Sequence, residues 1–268
     1  MIRSKPPIPK EHGAWAVLYV PLFVGAALAG EYTWNVLLLA LSALGVFMSY
    51  VPVHALLRHR FVAPLPAPRL REAVTWSAIY LGFGIASMIP LLVQGYWMLL
   101  LIGVPGAAAF LGNFALTRAT GKTLLSDLVA VFGLSLSGLC SWYVVRGEVT
   151  TEALVVWLLN LLFFWCSVFY VHMKIRAVSS KPEVLGMRWR WSVGALNVVY
   201  HLFVVALVVG LAVYRMTKLY AIVAFLPMVV HALLGTIKLS RRVSFQRLGF
   251  LLLAQSVLFG VLLWHVWE

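Results

Sequence analysis

Two short stretches of the chain share one polar pattern. Residues 49–58 and 167–176 both read Ser-x-x-x-Val-His-x-x-x-Arg, 118 residues apart, and each lies at the end of a long apolar segment. Residues four apart lie on one face of a helix, so each copy directs an imidazole and a guanidinium the same way. The pairs are His54 with Arg58 and His172 with Arg176. Ionisable groups at the edge of hydrocarbon are costly, so we expect two half-sites facing one cavity.

The chemistry open to these side chains follows from their types. An imidazole can donate a hydrogen bond or transfer a proton near neutral pH. A guanidinium can hold a phosphate or a carboxylate through two parallel hydrogen bonds. The pattern therefore indicates anion binding next to a proton-transfer group. The alternative is that Arg58 and Arg176 only extend toward the lipid head groups.

The composition is that of an integral membrane protein. Of 268 residues, 63% are hydrophobic and 11% are charged, and the mean hydropathy is +0.96. A soluble domain of this length cannot bury so much apolar surface. We expect an all-α protein whose membrane-spanning helices each have roughly 17 to 25 residues. Nine stretches qualify, with approximate limits at residues 12–30, 34–57, 73–94, 97–117, 124–145, 152–173, 191–214, 218–237 and 246–266.

The basic residues predict the orientation in the cytoplasmic membrane. With nine spans, all of the 21 Lys and Arg residues fall on one side except Arg146, Arg215 and Lys218. Lys and Arg near helix ends stay in the cytoplasm, so the N-terminus is predicted to lie inside and the C-terminus outside. The net charge of +13 then reflects topology and attraction to membrane lipids, and we expect no nucleic-acid partner.

The loop lengths suggest one membrane domain built from two similar halves. Two inner loops are predicted to be long, residues 58–72 and 174–190, and each follows a copy of the His/Arg pattern. The halves would cover about residues 11–117 and 122–237, with a ninth helix at about residues 246–266. Repeats of this kind place a site at their interface. The sequence does not fix the oligomeric state.

Five further residues are candidates for the same site. Lys10 and Lys174 would join the arginines as anion ligands, and His12 would join the two repeat histidines as a proton-transfer group. Asp127 lies about one turn inside the fifth helix, either as counter-ion to the second arginine or as a lone proton acceptor. Asn113 can contribute a polar contact to a ligand, although an amide at such a position more often bonds a neighbouring helix.

Three segments resemble a known family. Residues 9–16 read PKEHGAWA, Val-Pro follows at residues 20–21, and residues 170–176 read YVHMKIR. These segments are similar to the signature of the YwiC-like membrane proteins. Nine helices, an inside N-terminus, and polar motifs at the inner ends of helices two and six also resemble the UbiA-type intramembrane prenyltransferase fold. That resemblance implies a bundle with a lipid or isoprenoid-like substrate at an inward-facing pocket.

The chain departs from the prenyltransferase pattern in its acidic residues. In that family, two Asp-rich motifs at these helix ends hold Mg²⁺ ions that bind a diphosphate. Here the only aspartate is Asp127, and His and Arg stand in both motifs. Without clustered carboxylates a Mg²⁺ site is not expected. The resemblance then implies an anionic lipid or isoprenoid-like ligand held directly by basic residues, with transfer chemistry independent of Mg²⁺.

Two other functions stay open. A non-catalytic carrier or binding protein could use the same site for a lipid or an organic anion. With His201 and His231, the repeat histidines make four intramembrane imidazoles, enough for axial ligation of haem or for a soft metal in a quinone- or haem-binding protein. The spacing of these histidines matches no metal motif. We therefore expect neither a metal nor a cofactor.

The orientation can be tested with reporters. A reporter enzyme that is active only outside the cytoplasm should be active when fused after Glu268 and inactive when inserted within residues 60–70. A cytoplasmic reporter should give the reverse at both sites. Activity of the first reporter at residues 60–70 would contradict the predicted orientation.

Overall fold

The computed structural model of the protein describes residues 6–9, 12–180 and 186–267, apart from the side chain of His12. Within these ranges the chain forms nine α-helices: α1 His12–Ala29, α2 Trp34–Phe61, α3 Ala67–Val93, α4 Met98–Thr120, α5 Leu124–Arg146, α6 Thr151–Ser179, α7 Met187–Val213, α8 Ala221–Ile237 and α9 Phe245–Trp267. Seven are long and apolar enough to cross a membrane, whereas α1 and α8 are apolar but shorter. The chain is therefore an all-helical, multi-pass membrane protein.

The helices that carry the repeated pattern are longer than the sequence suggested. α2 continues to Phe61 and α3 begins at Ala67, while α6 continues to Ser179 and α7 begins at Met187. The predicted long loops at residues 58–72 and 174–190 are therefore wrong, because most of their described residues are helical. Hydropathy marks where the hydrocarbon ends, whereas basic residues in a last turn favour the helix beyond that point.

The centre of the bundle is the contact between α1 and α5. α1 also touches α2, α6 and α9, and α5 also touches α2, α4 and α6. The two central helices run parallel, since Ser137 donates a hydrogen bond to the carbonyl of Leu18 at 2.6 Å and Gly138 faces Pro21. The other helices pack around this pair, with α3 against α2, and α7 and α8 against α6.

The two central helices approach closely because glycines lie at their crossing. A Cβ on Gly138 would lie 3.0 Å from the carbonyl oxygen of Pro21, and one on Gly25 would collide with the Gly138 carbonyl and the Ser141 hydroxyl. Small residues permit such contacts in membranes, where packing between helices replaces the hydrophobic effect. This contact fixes the position of α5, and α2, α4 and α6 all pack against α5.

One end of the bundle is rich in basic residues. The last turns of α2, α4 and α6 carry Arg58 and Arg60, Arg118, and Arg176, and α5 and α7 begin at this same end. We call it the basic end. The division into two similar halves stays a prediction.

Substitution of Gly25 tests the central contact. Gly25→Ala should lower the stability by about 1–3 kcal/mol, because the added methyl group forces the helices apart. Gly82→Ala is the matched control, since a Cβ there has no neighbour within 4 Å, and alanine favours a helix by about 1 kcal/mol over glycine. Thermal unfolding in detergent should show a lower midpoint for the first variant alone. Equal midpoints would contradict this account of the packing.

Candidate functional site

The first turn of α5 is held by a reciprocal cap. The Thr123 hydroxyl accepts a hydrogen bond from the Ser126 amide at 3.3 Å, and the Ser126 hydroxyl accepts one from the Thr123 amide at 2.9 Å. This capping box satisfies amides that a helix start otherwise leaves unpaired. Asp127 follows directly and places a carboxylate near the positive end of the helix dipole. The cap thus fixes the position of the one aspartate in the chain.

Asp127 binds the histidine of the second motif. Its Oδ2 lies 2.8 Å from Nε2 of His172, and its Oδ1 lies 3.9 Å from the ammonium of Lys122. The carboxylate and the imidazole are both mostly buried, with 25% and 18% of their side-chain surfaces exposed. The carboxylate therefore fixes the orientation of the ring, as carboxylates do for functional histidines.

Asp127 does not pair with Arg176, although that pairing was one of the two roles that the sequence left open for it. The aspartate side chain is short and reaches only residues at its own depth in the bundle. Arg176 lies one helical turn closer to the basic end than His172. The imidazole, not the guanidinium, is therefore the partner.

A cavity of about 210 Å³ lies beside this pair. Its walls come from the start of α5, the last turns of α6 and the facing part of α7, and its lining residues are Leu124, Phe169, His172, Met173, Arg176, Val193, Leu196 and Asn197. Five of these side chains are apolar. Arg176 is exposed, whereas Asn197 is buried. The cavity thus combines an apolar wall with an imidazole, a guanidinium and an amide.

The first copy of the motif has different surroundings. The His54 ring lies between Tyr50 and Phe114, with ring-centroid distances of 5.8 Å and 5.2 Å. Arg58 is exposed in the last turn of α2, and neither residue lines the cavity. Only the second copy therefore lines this cavity, whereas the sequence led us to expect both copies at one cavity. Spacing along a helix fixes which residues share a face, but not which neighbouring helix that face meets.

The other sequence candidates are dispersed. Lys174 donates a hydrogen bond to the Gly235 carbonyl of α8 at 3.1 Å and lies 5.0 Å from the centre of the Tyr170 ring, so it turns away from the cavity. Asn113 donates to the Ser126 carbonyl at 2.6 Å, which ties α4 to the capped start of α5. Lys10 and the side chain of His12 lie outside the described residues.

The deeper histidines have partners within the bundle. His201 contacts the backbone carbonyl of Asn197 at 2.7 Å. His231 lies between the Tyr170 hydroxyl and the side-chain oxygen of Gln255, each at 3.1 Å. In the part of the chain that the structure describes, no group of three or more His, Cys, Asp or Glu side chains could hold a metal ion.

Sequence reasoning missed Asn197. It is 1% exposed, and its Nδ2 donates to the Thr236 hydroxyl of α8 at 3.2 Å. The signal was present, since an amide in the middle of an apolar helix is costly in hydrocarbon and marks a contact or a site. Asn197 lies outside the repeat, whose pattern contains histidine and arginine.

Comparison with known proteins gives a family and one relative. The model of the family described as YwiC-like protein matches residues 8–142. The Bacillus subtilis (strain 168) protein named "Uncharacterized protein YwiC" is 28% identical over 185 residues, which is 69% of this chain and 72% of the relative. No solved structure matches the chain. The likeness to the UbiA-type fold therefore stays a prediction.

A double-mutant cycle tests the Asp127–His172 pair. Asp127→Asn and His172→Gln should each destabilise the protein, and their effects should be coupled by about 0.5–2 kcal/mol, as for hydrogen bonds between membrane helices. Lys122→Gln is the control: its side chain is 60% exposed and should contribute less than about 0.5 kcal/mol. Unfolding midpoints in detergent give these values. Additive effects of the first two variants would show that the contact contributes no stability.

Proposed function

The chain belongs to the YwiC-like family of membrane proteins, and we propose that it binds an anionic amphiphile in the cavity between α5, α6 and α7. The observation that carries this proposal is the single guanidinium, Arg176, in a cavity whose other walls are mainly apolar. An amphiphile matches both parts, because its anionic head can meet the cation while its tail remains in hydrocarbon.

The guanidinium has the donors that such a head group needs. Among the described residues, the ion pairs within 4.0 Å involve Lys122 and His172 with Asp127, and none involves Arg176. Arg176 therefore keeps its planar set of donors available for a phosphate or a carboxylate, which it can bind through two parallel hydrogen bonds. His172 borders the same space, and because its Nε2–H donates to Asp127, its Nδ1 donates to the anion only when the ring is protonated and accepts a hydrogen bond when the ring is neutral.

The position of the cavity supports a membrane ligand. It lies at the basic end, near the junction of hydrocarbon and water, where lipid head groups reside. We place this end in the cytoplasm because of the excess of Lys and Arg. The ligand would then come from the inner leaflet of the cytoplasmic membrane.

Proton transfer to or from the ligand is the second candidate function, and the Asp127–His172 pair favours it. A carboxylate that orients an imidazole is the arrangement by which many enzymes hold a general acid or base. His172 borders the cavity, whereas His54 does not. A lipid-modifying transferase would therefore use His172, with Asp127 as the positioning residue. A carrier would need only Arg176 and the apolar wall.

Lipid binding by matched arginine variants tests the proposal. The protein in detergent, titrated with phosphatidic acid and with phosphatidylcholine of the same chains, should prefer the anionic lipid. Arg176→Gln should reduce that preference by about tenfold, since hydrogen bonds to a charged group contribute about 1.5–3 kcal/mol and about 1.4 kcal/mol is a factor of ten. Native mass spectrometry or calorimetry gives the affinities.

Two controls make this result specific. Arg118→Gln removes an exposed arginine from the last turn of α4, and Arg58→Gln removes one from the last turn of α2. Neither residue lines the cavity. Both variants should keep the preference, and a chelator should not change it. An unchanged preference in Arg176→Gln, or a strict requirement for Mg²⁺, would overturn the direct-anion mechanism.

A further inference from the structure

An unpaired acceptor lies in the wall of the cavity. Asn197 of α7 is 1% exposed, and its side-chain Oδ1 is buried without a hydrogen-bond partner. Other buried polar atoms in the described residues also lack partners, for example Oδ1 of Asn160, but Asn197 is the one whose residue lines this cavity. A buried acceptor without a partner destabilises the protein, and a ligand that donates a hydrogen bond to it would remove that destabilisation.

The neighbours of the amide fix its orientation. The Thr236 hydroxyl donates to the Ala232 carbonyl at 2.8 Å, so its oxygen is left to accept. The Ala232 carbonyl can only accept. Asn197 Nδ2 lies 3.2 Å from the first oxygen and 3.5 Å from the second, and a flipped amide would set its own oxygen against both. The NH₂ group therefore faces α8, and Oδ1 is the atom left without a partner.

The depth of this acceptor differs from that of the guanidinium. Arg176 lies three residues before the end of α6, whereas Asn197 lies ten residues after the start of α7, and both helix ends are at the basic end. The stacked rings of Phe169 and Tyr200 and the hydrogen bond from Trp189 to Ser180 place Asn197 at the level of His172. With a rise of about 1.5 Å per residue, Asn197 is roughly 6 Å farther into the bundle than Arg176. A ligand held by Arg176 thus meets Oδ1 on the side of its apolar tail.

The cavity volume limits what can lie between these two groups. About 210 Å³ equals roughly seven water molecules at about 30 Å³ each, which is enough for a small head group but not for acyl chains. The chains must therefore leave the cavity between the helices and enter the bilayer. The part of the ligand enclosed by the protein is the anionic group and the few atoms next to it.

We propose that the ligand carries a hydroxyl or another hydrogen-bond donor between its anionic group and its tail, and that Asn197 Oδ1 accepts a hydrogen bond from it. This inference rests on the proposed function and narrows its ligand class. A single-chain glycerophosphate lipid with a free hydroxyl on the glycerol has this order of groups: phosphate, hydroxyl, acyl chain. Asn197 is then a specificity-determining residue, whereas Arg176 supplies affinity for the charge.

Two probes that differ by one hydroxyl test the inference. They are 1-acyl-glycerol 3-phosphate and its 2-deoxy analogue, an acylated propanediol phosphate with the same chain and charge. The wild-type protein should bind the hydroxylated probe about tenfold more tightly, because the analogue leaves the buried acceptor unpaired. Asn197→Leu should bind both probes equally. Asn160→Leu, which removes a buried amide outside the cavity lining, should keep the preference.

The arginine variant separates the two proposals. Arg176→Gln should weaken both probes by the same factor and leave the preference for the hydroxyl intact. Equal binding of the two probes by the wild-type protein would overturn the role of Asn197, and this comparison does not depend on the folding of any variant. If both probes also weaken in Arg176→Gln, anion binding stands while the hydroxyl contact fails. If Arg176→Gln changes neither probe, the proposed function itself fails.

A soluble anion that carries the same phosphate and hydroxyl groups, without an acyl chain, is the other ligand class that matches these contacts. Free glycerol 3-phosphate, added as a competitor, should displace the acylated probe only weakly if the tail contributes to binding. Displacement at equal concentration, lost in Asn197→Leu, would support the hydroxyl contact and assign it to a soluble ligand. Displacement that survives in Asn197→Leu would count against the role of Asn197.

Discussion

Every polar group inside a bilayer must find its partner within the protein, because hydrocarbon offers none. The structure of this chain follows from that constraint. The backbone forms helices, and the serine and threonine hydroxyls mostly donate to carbonyls one turn earlier in the same helix, as Ser141 does to Gly138 and Thr236 to Ala232. Longer side chains reach neighbouring helices, as Asn113 does to α5. A few buried polar atoms of the described residues remain without partners, and one of them, Oδ1 of Asn197, belongs to a residue that lines a cavity.

The position of α6 decides which groups meet at that cavity. α1 and α5 approach closely through glycine, and α5 in turn supports α6. The last three turns of α6 then present different side chains to three neighbours: His172 meets Asp127 on α5, Lys174 meets the Gly235 carbonyl on α8, and Arg176 lies in the cavity lined by α7. One short segment, residues 170–176, therefore takes part in a polar contact, a helix contact and the candidate site at once.

The sequence predicts some parts of this arrangement much better than others. Hydropathy gave all nine helices to within a few residues at most ends, because crossing hydrocarbon is a strong constraint on composition. It failed where a helix continues beyond the hydrocarbon, at the ends of α2 and α6, whose last turns are basic, and at the starts of α3 and α7. The candidate site was found in part. The position of Asp127 near the second motif follows from topology. The orientation of the Asn197 amide, in contrast, depends on Thr236 and Ala232, and no sequence pattern connects these residues to it.

The two copies of the His/Arg pattern show why a sequence repeat does not make two equal sites. Both copies place imidazole and guanidinium on one helical face, yet His172 meets a carboxylate and His54 meets the rings of Tyr50 and Phe114. A carboxylate orients an imidazole through a directional hydrogen bond, whereas an aromatic ring supplies packing alone. The difference arises from the neighbouring helices: α5 carries the only aspartate of the chain, and α4 offers phenylalanine. In the described residues the second copy therefore carries an imidazole paired with a carboxylate, whereas the first carries an imidazole packed against aromatic rings.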